Sequence, residues 1–302
     1  MEEYIQTGEN ISGEKIRKKR KIPECGKMVV TFMLVTLVLK FVAGFFLPDG
    51  TVAALCPVVS FAVVFCCVFK AEFKRLLKES FGKEKNARGK VMGGVAKCFF
   101  VFFAITLCFG IIVKVTDLTG IDIFPEIKVS VPVKGFDGVV YALYMCILAP
   151  VIQELVFRGA VMKSLGEKGG KTAVLVSAIL FALFHGVYIT WIYAFAMGMI
   201  IGFVSLKANS LMTAIETNIL ISVLLYAFMA AVSSDIMSLY IPLAVVVSFF
   251  ALLGLLLLAA EKLSAKRNQR EKLNFTALQS GWIGIAALVM IAEDILFLIA
   301  IN

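Results

Sequence analysis

The feature that most constrains this chain is a stretch of about 20 apolar residues that recurs along its whole length. The first, Met28 to Leu47, ends at Pro48-Asp49-Gly50 and is long enough to cross a bilayer. Further apolar runs follow at about 52–69, 98–115, 138–165, 172–188, 189–206, 211–233, 236–260 and 280–301. The expected fold class is an all-α polytopic membrane protein, a bundle of about 8–9 transmembrane helices with a polar intramembrane cavity. Composition agrees. Of 302 residues, 60% are apolar and 17% charged, with a mean hydropathy of +0.94, more apolar surface than a soluble core can hide.

Charge then sets orientation. Residues 1–27 form a basic tail, and no short apolar stretch with a small-residue cleavage site follows, so no removable signal is expected. Between 70 and 97 nine Lys and Arg stand against three Glu, and between 261 and 279 five against two. The segment 116–137 reverses the balance, with four acids against two lysines. Positive loops stay inside, so the N-terminus reads as cytoplasmic and the chain as integral to a membrane, in the bacterial case the plasma membrane. The basic loops serve as topology signals, and contact with anionic lipid is the sharper alternative. On this reading the net charge of +9 carries no suggestion of nucleic acid. The domain reading is a cytoplasmic tail at 1–27, spans at 28–137, a core at 138–233 and C-terminal spans at 234–302.

Ionisable residues in hydrocarbon are costly, and one set is concentrated in the middle third. The run from Gly138 carries Gln153, Glu154 and Arg158, with the last two i, i+4 and therefore on one face. The next run ends in the only histidine, His185, four residues after Phe181. With cytoplasmic ends near Leu165 and Thr172, Glu154 and His185 both lie roughly 17–20 Å deep. A third run carries Glu216, Asn218 and Ser222, the last at a similar depth. An internal ion pair, a packed histidine and interhelical amide and hydroxyl bonds would each explain one of these runs. Polar groups at one depth on three helices point instead to a shared site. Gly198 and Gly202 allow close helix approach beside it. Glu293 and Asp294 in the last run have no assigned role. With one histidine, a zinc site of two or three imidazoles is excluded. Seven cysteines without a Cys-x-x-Cys pair read as packing residues, so neither metal nor cofactor is implied.

The order Gln153-Glu154-x-x-x-Arg158, Phe181-x-x-x-His185, Gly198 to Gly202, and Ser210-Leu211 leading to Asn218-x-x-x-Ser222 resembles the CPBP family. These are the CAAX-processing and bacteriocin-processing intramembrane proteases, also called Abi proteins. The resemblance covers about residues 138–225 and implies a glutamate-dependent endopeptidase whose membrane-embedded site opens to the cytoplasm. Its pattern, Glu-Glu-x-x-x-Arg, Phe-x-x-x-His and His-x-x-x-Asn, is altered at three places. Gln153 stands at the first glutamate, Asn218 at the later histidine and Ser222 at the asparagine.

What the resemblance implies is a set of roles. Glu154 and His185 position and deprotonate water, Arg158 holds Glu154, and Asn218 with Ser222 bind the oxyanion. Both amide and hydroxyl can donate, whereas Gln153 cannot accept a proton at neutral pH, a loss worth roughly 100–10,000-fold unless Glu154 takes over. The expected activity is weak proteolysis. The alternative is a non-catalytic scaffold or regulator. Expected partners are membrane lipids and a membrane-embedded or lipidated peptide, with no nucleic acid. A transporter with a Glu154–His185 proton relay would require inverted repeats and paired broken helices, which the sequence does not display.

Overall fold

The computed structural model describes residues 26–47, 49–80, 87–119, 131, 135–165, 170–185, 188–234, 237–265 and 284–291. Helices make up almost all of this, as they must where no water is present to satisfy backbone N–H and C=O groups. We number them α1 (Gly26–Ala43), α2 (Asp49–Phe61, continued by a π-helical segment Ala62–Val68) and α3 (Lys70–Ser80). Next come α4 (Ala87–Thr119), α5 (Gly135–Leu165), α6 (Gly170–Leu183) and α7 (Tyr188–Ala208). The series continues with α8 (Leu211–Ser233) and α9 (Met237–Ala265), and residues 284–291 are also helical.

Six of these helices, α1, α4, α5, α7, α8 and α9, are long and apolar enough to cross a membrane, and Ala54–Val68 and Gly170–Leu183 are shorter apolar segments. The ninth expected run, 280–301, falls mostly outside the described residues, as do the tail 1–25, Glu293, Asp294 and most of 116–137 and 261–279. The structure differs from the expected loop at 70–97: residues 70–80 form α3, and α4 starts at Ala87, eleven residues before its apolar run. Charged residues extend a helix past the hydrocarbon without cost when their long stems carry the charge to the interface. Lys97 does this, with Nζ 2.7 Å from Glu261 Oε1 on α9, and Lys207 on α7 reaches the same oxygen at 3.2 Å.

The buried side chains fall into two clusters. One joins α1, α2, α3, α5, α6, part of α7 and 284–291 around Phe32, Phe65, Val156, Phe157, Leu180 and Met290. The other joins α4, α7, α8 and α9 around Phe99, Ile201, Ala214, Ile221 and Val247. The outer faces of α4 and α9 leave Leu107, Ile111, Phe249 and Leu252 exposed, the pattern of a lipid-facing surface. Two seams are exceptionally close. Cβ atoms at Gly198 and Gly202 would lie 3.2 Å from Ala178 and 2.8 Å from Val174 Cγ1, so α7 packs on α6 through paired small positions. On α9, a Cβ at Gly254 would collide with the Ala96 carbonyl and come 2.8 Å from Phe100 Cβ.

Candidate active site

The candidate site lies between the two clusters, on α5, α6, α7 and α8. The local form of α5 follows from its sequence. Pro150 has no N–H to donate, and just before it the helix widens: the Ala149 N–H reaches back to the Tyr144 carbonyl, and Tyr144–Leu148 is π-helical. A second π-helical segment, Leu155–Met162, starts directly after Glu154 and holds Arg158. Such widened turns are frequent at functional sites. Gly159 lets this segment come close to its neighbours, since a Cβ there would lie 3.3 Å from Leu211 on α8 and 3.5 Å from Leu77 on α3.

Glu154 is fully buried and Arg158 is 2% exposed. Arg158 Nη1 donates to Glu154 Oε1 at 3.0 Å, and Nη2 donates to the Gly198 carbonyl at 2.8 Å. The guanidinium carbon also stands 4.6 Å from the centre of the Phe181 ring, a cation–π contact in a water-poor setting. From α8, Asn218 Nδ2 donates to Glu154 Oε1 at 2.8 Å and, more weakly, to Gln153 Oε1 at 3.4 Å. One carboxylate oxygen therefore takes two donors. The other, Oε2, is buried without a hydrogen-bond partner among the described residues, and so is Arg158 Nε. The cluster offers a further polar group one strong acceptor and one charged donor. The pair is electrically neutral as a whole, which makes its burial tolerable; removing one member would leave an uncompensated charge at a cost of about 3–5 kcal/mol.

His185 sits in the turn just after α6, half-buried, with Nδ1 2.7 Å from the Phe181 carbonyl. A carbonyl only accepts, so Nδ1 carries the hydrogen and Nε2 of the neutral ring is left as the basic nitrogen. Thr190 Oγ1 donates to the His185 carbonyl at 3.0 Å and ties this turn to α7. The His185 ring lies 4.4 Å from that of Phe181, tilted by 51°, and the same Phe181 ring also carries Arg158. Phe181 thus links histidine and ion pair, and among the described residues no hydrogen bond joins His185 to Glu154 directly.

The structure brings Gln153, Glu154, Arg158 and Asn218 into one network, with His185 attached through Phe181. Ser222, one turn beyond Asn218 and half-buried, makes no hydrogen bond to this network among the described residues, and Glu216 is exposed. Three contributors are invisible to residue-type reasoning. The Gly198 carbonyl is one, although that glycine is legible as a packing position. The face of Phe181 is another. The third is Cys98 of α4, fully buried and within electrostatic reach of both Arg158 and Glu154. Ser177 Oγ supports the site from behind by donating to the Phe157 carbonyl at 2.8 Å.

A helical bundle with six membrane-crossing segments and a carboxylate, guanidinium and amide buried between them is an integral membrane protein with a polar site inside the bundle. Residues 135–224 match the family model described as type II CAAX prenyl endopeptidase Rce1-like. The matched stretch runs from the start of α5 into α8 and so contains every residue of the site except Cys98. No curated protein and no solved structure matches the chain.

Proposed function

We propose that the protein is an intramembrane endopeptidase of the CAAX-processing type, hydrolysing a peptide bond in a membrane-embedded or lipidated substrate. The observation that carries this reading is the divided role of the Glu154 carboxylate, one oxygen anchored by Arg158 and Asn218 and the other buried and bare. A base must be fixed in place and still have a lone pair to spend. Glu154 Oε2 takes a proton from water while the water oxygen adds to the scissile carbonyl carbon. The carbonyl π pair moves onto oxygen, giving a tetrahedral oxyanion. As that oxyanion collapses the C–N bond breaks, and the amine leaves with the proton returned from Glu154. His185 Nε2 accepts the second hydrogen of the water and so aims its lone pair.

Asn218 and Ser222 supply the oxyanion donors. The Asn218 contact to Gln153, at 3.4 Å, is the weaker of its two and the one released when the oxyanion forms. Gln153 orients but cannot accept a proton, and the rate is accordingly low. In this reading the two shorter apolar helices and the C-terminal run complete a bundle of eight or nine crossings around a polar pocket. The N-terminus lies in the cytoplasm of a bacterial cell, and the pocket opens on that side.

The test is cleavage of a membrane-peptide library by reconstituted wild type, Glu154→Gln and Gln153→Glu. Loss of cleavage in Glu154→Gln supports a working protease based on Glu154. A silent wild type with activity gained in Gln153→Glu points to a degraded member that serves as a scaffold. Activity indifferent to both changes rules out the site.

A further inference from the structure

Helix α3 is not used by the proposed chemistry, yet it packs directly against the segment that carries Arg158. The chain turns at Phe69, and Lys70–Ser80 then crosses the π-helical parts of α2 and α5. Phe73, 6% exposed, packs edge-on against Phe61 and Phe65 at 5.6 and 5.0 Å, and Leu77 reaches Gly159, the neighbour of Arg158. At 100° per residue Lys70, Lys74 and Lys78 form a stripe one turn apart, beside the apolar face, and all three are exposed. Glu72 falls on the opposite side, where it does not neutralise the stripe. Like charges spaced i, i+4 repel, so this stripe costs helix stability unless an anionic partner lies against it. A helix with an apolar face docked on a membrane bundle and a flanking row of lysines has the form of an interfacial helix.

We propose that α3 is an anionic-lipid-binding helix: Lys70, Lys74 and Lys78 engage phosphate-bearing headgroups of the cytoplasmic leaflet, and this contact seats Leu77 on Gly159 beside the site. The occupant follows from charge complementarity and from the position of α3 at the end of α5 that the positive loops place inside. The inference stands apart from the proteolytic reading, because it concerns the seating of α3 whether or not the site cleaves peptides.

Full-length protein in nanodiscs of phosphatidylcholine, alone or with about 30% phosphatidylglycerol, tests this through amide hydrogen exchange of residues 70–80. The expected result is exchange slowed on the order of tenfold by phosphatidylglycerol, with the difference erased in Lys70→Gln/Lys74→Gln/Lys78→Gln and kept in the corresponding triple Arg variant. Unchanged protection in α7 shows that each variant is folded. Equal exchange of 70–80 in both lipids, or a phosphatidylglycerol effect that survives the triple Gln variant, overturns the proposal.

Discussion

At the scale of single residues, the buried network makes unequal demands on its members. Glu154→Ala leaves Arg158 charged and without its carboxylate, and is expected to lower stability by about 3–5 kcal/mol, seen as an earlier unfolding transition in detergent. Adding Arg158→Met should recover most of that loss, because an apolar replacement for both charges avoids the desolvation cost. A single variant that unfolds with wild type would contradict the ion pair. Asn218→Ala removes the second donor to Glu154 Oε1 and one oxyanion donor; cleavage is expected to fall roughly 100-fold or more, with the main loss in kcat. Asn218→His, which restores a ring donor at that position, should retain more activity than alanine in the same assay.

Helix geometry decides how much of this could be read in advance. The i, i+4 placement of Glu154 and Arg158 is a property of any helix, and their ion pair was legible for that reason. The convergence of Asn218 was only partly legible: counting depth along an ideal helix puts Ser222 level with Glu154 and Asn218 one turn shallower, whereas it is Asn218 that reaches the carboxylate. The π-helical turns of α5 were not legible, because Pro150 marks a missing donor without saying which way the backbone relaxes. Nor was α3, since a charge-rich stretch between spans has the composition of a loop, and its docking depends on Phe73 and Leu77 finding partners distant in sequence. Cys98 escaped because nothing in its local sequence brings it within electrostatic reach of the ion pair. Gly198 makes the sharpest test of element packing. Gly198→Val places branched carbons against the Ala178 backbone and displaces the carbonyl that Arg158 holds. It should abolish cleavage. At Gly202 a Cβ would come 2.8 Å from Val174 Cγ1, so Gly202→Ala costs stability, but it leaves the carbonyl that Arg158 holds in place and is expected to keep more activity than Gly198→Val when the two purified variants are compared.

For the molecule as a whole, charge asymmetry makes a topological prediction independent of the site. In a background with the native cysteines replaced, Glu84→Cys should react with a membrane-impermeant maleimide only from the cytoplasmic side, and Asp122→Cys only from the opposite side. The reverse pattern would invert the bundle and place α3 against the wrong leaflet. The two apolar clusters also divide the labour of holding the site, α5 and α6 belonging to one, α8 to the other, and α7 shared between them. The Asn218 bond to Glu154 crosses between them and the Arg158 bond to Gly198 ties in the shared helix, so the polar network doubles as a bolt between two apolar halves.

The contact at Gly254 bears on how a substrate enters. Where Gly254 meets the Ala96 carbonyl, no layer of side chains separates α4 from α9, and rotamer changes there create no space. The two helices are mechanically one strut. On the proposed reading, a bulky peptide from the bilayer does not enter between these two helices. Between α5 and α8 side chains do intervene, as where Tyr141 meets Tyr226 with ring centres 6.3 Å apart. The fixed wall of α4 and α9 thus braces one flank of α8, the helix that carries Asn218.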